Sequence, residues 1–96
     1  MLDIFKIDQI VNSAATATLK PVKHSRVFTE LTTDSDGREA LHVTIVLRDN
    51  KKDNVSGDLA LSTIVRIQHD LRQSGEERFP IIEFATEAEL KSNDDP

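Results

Sequence analysis

Three histidines, His24, His42 and His69, are the chain's only imidazoles, and there is no cysteine. They are therefore the only side chains suited to soft-metal ligation or to general-base work near neutral pH. None lies four residues from another, and neither His-x-His nor His-x-x-x-His occurs. No single helix face or strand face aims two of them at one ion. His69 precedes Asp70, but adjacent residues on a helix diverge by about 100°, so they make no oriented base–acid pair. Ser56-Gly57-Asp58 and Ser74-Gly75-Glu76 read as helix boundaries, without the strand–elbow–helix setting that exposes a nucleophile. Gly37, Gly57 and Gly75 are the only glycines, too few and too scattered for a phosphate cradle. Glu76, Glu77, Glu83, Glu87 and Glu89 gather late in the chain without the Asp-x-Asp-x-Asp-Gly loop of a calcium site, and read as a solvated rim. The residue types thus call for no catalytic group, no metal and no cofactor. One arrangement stays open: His42 beside Glu83 on neighbouring strands, as a small-ligand or enzyme site, provided a pocket accompanies it.

Charge narrows the partners. Residues 1–48 balance six basic against six acidic side chains, while residues 49–96 carry six against eleven, the source of the net charge of -5. Such a surface repels a phosphate backbone over most of its area. A local basic cluster can still act, and Lys20, Lys23, His24 and Arg26 form one, in a connector without an acid; Lys51 and Lys52 could assist. The cluster reads either as a weak anion or nucleic-acid patch, or as cations opposing a helix C-terminal dipole. The order of elements has a superficial likeness to small RNA-binding folds of the KH type. Those need a Gly-x-x-Gly clamp and a basic groove, and this chain has neither.

The elements that must position these residues centre on 57–75. Ala60, Ile64, Ile67 and Leu71 share one side of a helical wheel, with Arg66, His69 and Arg72 pointing away. Ser56 stands at the N-cap and Gly75 at the stop. An earlier helix runs from about Asp3 to Thr18, carrying Ile4, Ile7, Ile10, Val11 and Ala14 on one face and ending before Pro21. Residues 26–32 and 38–48 read as strands around an Asp34-Ser35-Asp36-Gly37 turn. In the second, Leu41, Val43, Ile45 and Leu47 alternate with Ala40, His42, Thr44 and Val46, so a one-residue slip would expose four large aliphatics. Residues 79–85 make a third strand with Pro80 at its start. Thr86-Glu87-Ala88-Glu89 is a capping box that opens one helical turn through Lys91.

These spans predict a two-layer α+β sandwich in the order α-β-β-α-β. Its three-stranded mixed sheet carries two helices on one face, and a short C-terminal helical turn follows. Ninety-six residues make one domain, 1–91, with 92–96 as a disordered tail. The lack of cysteine, of a basic leader and of a membrane-length apolar run predicts a soluble cytoplasmic protein. The sheet face opposite the helices would present Phe28, His42, Thr44, Val46 and Ile81, a mixed surface suited to a protein contact. The expectation is a non-catalytic interaction or adaptor domain that binds a protein partner or a second copy of itself, through that face or a strand edge.

Overall fold

The computed structural model describes residues 1–19, 24–48 and 55–94. Helix α1 spans Ile4–Thr18, strand β1 His24–Thr33, strand β2 Glu39–Leu47, helix α2 Gly57–Gln73, strand β3 Phe79–Thr86 and helix α3 Glu87–Asp94. The sheet order is β1-β2-β3, with β1 antiparallel and β3 parallel to β2. This is the predicted α+β order with a mixed sheet. α3 passes Lys91 and reaches Asp94, longer than the single turn expected; residues 95 and 96 of the expected tail lie outside the described residues.

Local chemistry accounts for the boundaries. The Asp3 carboxylate accepts the Lys6 N–H, and the Ser56 hydroxyl accepts that of Leu59, capping α1 and α2. Thr86 and Glu89 exchange backbone-to-side-chain bonds at 3.1 Å each way, the reciprocal pattern of a capping box. In the hairpin, Asp34 Oδ1 accepts the Asp36 and Arg38 N–H groups while Gly37 takes φ 83°. Gly75 ends α2 at φ 96°.

Packing follows the alternation in β2. Leu41, Val43 and Ile45 meet Ile7, Val11, Ala14, Ala15, Leu19, Ile67 and Leu71 of the helical layer, all buried. Ile82 and Phe84 of β3 and Val27 of β1 pack half-buried around them. Leu47 is also buried. The odd-numbered residues of β2 therefore face the helices, and the even-numbered ones face outward.

Candidate functional site: the outer sheet face

Three rows make up the outer face. Arg26, Phe28, Glu30 and Thr32 come from β1, opposite Val46, Thr44, His42 and Ala40 of β2. Ala85, Glu83, Ile81 and Phe79 complete it from β3. Ala40, Thr44 and Val46 lie on this face, but each is at most 2% exposed. A central strand is flanked on both sides, and short side chains sink beneath the longer ones of their neighbours. Thr44 and Val46 therefore support the surface and offer almost no contact area, in contrast to the expectation that they present themselves. Accessible apolar area comes from the flanks: Phe79 is 54% exposed, Ile81 is 40% exposed and Phe28 is half-buried.

Polar groups cross the face in two lines. His42 stands between carboxylates, with Nε2 3.5 Å from Glu83 and Nδ1 4.0 Å from Glu30. Both ring nitrogens face acids, so His42 links β1 to β3 across β2. A general base would need one nitrogen turned toward a substrate. The second line is the Arg26 Nε to Glu87 contact at 3.1 Å, reaching from β1 to the start of α3 across the width of the sheet. The Arg26 guanidinium also sits 5.3 Å above the centroid of the Phe28 ring.

The basic connector is divided by the structure. Lys20, Lys23, Lys51 and Lys52 lie outside the described residues. His24 pairs with Leu47 and Arg26 with Val46, so the register shifts by one residue between them, as in a β-bulge. His24 consequently turns to the helix side, where Nε2 lies 2.6 Å from Asn12 Oδ1 of α1, while Arg26 turns outward. Burial first, and then the Arg48 charge, hold the His24 imidazole below its usual value. The two described members of the cluster thus occupy opposite faces.

The acidic residues are also dispersed, and Glu76, Glu83, Glu87 and Glu89 each engage a different group. Glu83 faces His42, Glu87 holds Arg26 and Glu89 caps α3. Glu76, expected on a solvated rim, is buried and bonds Arg78 and the Leu2 N–H. No group of three potential ligands suited to a metal ion occurs among the described residues. Two clefts among the described residues lie away from His42. One of about 670 Å³ between α1 and α2 is lined by Gln9, Asn12, Asp70 and Gln73; another, of about 370 Å³ at the end of α2, is lined by Arg72, Gly75, Glu76 and Glu77. No described helix is long and apolar enough to cross a membrane.

Comparison of the chain with protein families, with curated proteins and with solved structures finds no match.

Proposed function

We propose that this chain is a small non-catalytic protein-association domain that binds through its outer sheet face or a strand edge. One observation carries the reading. Phe79, Ile81 and Phe28 flank a Glu30–His42–Glu83 line on the sheet face opposite α1 and α2. Half-exposed apolar side chains beside polar ones are the composition of a contact surface, where the apolar groups supply burial and the polar rim sets orientation. A reducing, cytoplasmic setting suits a chain without cysteine.

Light scattering after size exclusion, combined with co-purification on a tagged chain, tests this. The wild type is expected to run as a complex, with itself or another protein. Phe28→Asp should release the monomer while far-UV circular dichroism stays native. A monomer that retains no partner, and on which Phe28→Asp has no effect, would sink the proposal.

A further inference from the structure

The two edges of the sheet differ in what they offer another strand. Among the described residues β1 and β3 each pair only with β2, so each has a free edge. The β3 edge is blunted. Thr86 directs its N–H to the Glu89 carboxylate rather than into the ladder, so residues 84, 82 and 80 share that outward side, where Pro80 has no N–H. Glu83 stands exposed at the middle of the strand. A second β3 laid antiparallel and centred there would set two carboxylates face to face.

The β1 edge carries none of these obstacles. It runs for ten residues without proline. On its outer side Arg26, Phe28 and Glu30 follow at every second position, a cation, an aromatic ring and an anion. That pattern is self-complementary when reversed. An antiparallel pair of β1 strands about a two-fold axis at Phe28 places each Arg26 opposite Glu30 of the other copy, and Phe28 opposite Phe28. Glu87 engages Arg26 through Nε, and a guanidinium presents five donors, so it can serve a second carboxylate as well. Glu30 is 67% exposed on its side chain and available to meet it.

The helix side of the same edge points the same way. Asp8 of α1 accepts the Thr29 hydroxyl at 2.6 Å, and Asn12 meets His24, so this flank of α1 lies antiparallel over β1. Phe5 is one turn before Asp8 and Leu31 is two residues beyond Thr29, which brings both to one end of the edge. They are 73% and 64% exposed, among the most exposed large apolar side chains described. A strand added at β1 would cover them.

We infer that β1 is a self-recognition edge, and that two copies of this chain pair β1 to β1 antiparallel about Phe28 into one continuous sheet. The inference rests on the association reading and names its partner as a second copy.

The chain has no cysteine, so a single introduced thiol reports the register directly. Phe28→Cys is expected to form a disulfide-linked dimer under mild oxidation, because directly opposed antiparallel residues stand at bridging distance, while Glu83→Cys is not. In sedimentation, Glu30→Arg, which leaves the Arg26–Glu87 pair in place, should weaken dimerisation about tenfold by opposing like charges. The double variant Arg26→Glu/Glu30→Arg should restore it, and Ile81→Asp should leave it unchanged. A dimer indifferent to Glu30→Arg, or cross-linked at residue 83 and not at 28, overturns this pairing and leaves the association reading standing. So does a monomeric wild type that retains a different protein partner. A monomer up to about 1 mM with no partner at all overturns both.

Discussion

A buried carboxylate is costly to desolvate unless its oxygens find donors, and Glu76 finds four: the Leu2 N–H, the Arg78 N–H, Arg78 Nε and an Arg78 terminal nitrogen. Arg78 in turn donates to the Leu2 carbonyl at 2.7 Å, so one ion pair ties the start of the chain to the α2–β3 turn. The hydrogen bonds from Arg78 hold the Glu76 carboxyl down from 4.5 to about 2. A folded value below the unfolded one means that this stability is complete above 4.5 and is lost as pH falls from there toward 2. The difference corresponds to about 3 kcal/mol. Urea denaturation between about pH 6 and pH 3 should show the wild-type midpoint falling, with a shallower slope in Glu76→Gln. Glu76→Gln should also lose about 3–5 kcal/mol at neutral pH, because Arg78 is left buried without its counter-ion. Equal stability of the two proteins would contradict this account. The part that Leu2 plays could not be read from the sequence, because Leu2 lies 74 residues from Glu76. His24 titrates in the same sense. Its burial and the Arg48 charge favour the neutral ring, so stability is present above 6.5 and is lost as pH drops below it. An NMR titration should place the His24 midpoint below 6.5, and Arg48→Gln should raise it; a midpoint at or above that value would refute the assignment. A histidine that stays neutral adds little to an anion patch.

Elements whose ends are decided by neighbours in the chain were legible from residue types alone. Asp3, Ser56 and the Thr86–Glu89 pair cap their helices, and Gly37 and Gly75 take the positive φ that their turns require. Ser56→Ala should cost about 1 kcal/mol in thermal denaturation, the worth of one N-cap bond. What sequence alternation could not reveal is an extra residue. The bulge between His24 and Arg26 sends two neighbouring cations to opposite faces, so a cluster contiguous in sequence is not contiguous in space. Alternation along β2 says which side chains share a face but not how deeply they lie, since exposure on a central strand depends on the lengths of side chains in the flanking strands. Val46 and Ile81 make the distinction measurable. Val46 is 0% exposed and Ile81 is 40% exposed on the same face. Val46→Asp should therefore unfold the domain or lower its stability by several kcal/mol, as burying an unpaired charge does. Ile81→Asp should change the melting temperature little. Similar losses from both would mean that the face is more deeply covered than the side chains of β1 and β3 make it.

At the scale of the whole molecule, apolar packing is one-sided. The buried cluster lies between α1, α2 and the sheet, while the outer face keeps Phe79 and Ile81 half-exposed. The shortest dimension, 23 Å, is that of one sheet and one helical layer. A thin domain of this size has a modest core and gains proportionately from any surface that a second copy covers. Pairing at β1 would extend the ladder and shelter Phe5 and Leu31 without disturbing the existing core, so folding and association should be linked. Mass action then makes thermal stability depend on concentration. For a domain near a hundred residues that unfolds from a dimer, each tenfold rise in concentration should lift the melting temperature by about 3–5 °C. Calorimetry over two decades of concentration measures this directly. Glu30→Arg should flatten the dependence, Arg26→Glu/Glu30→Arg should recover it, and Ile81→Asp should leave it as in the wild type. A wild-type melting temperature that does not move with concentration would show that the domain reaches its stability alone, and that the charge order along β1 plays no part in it.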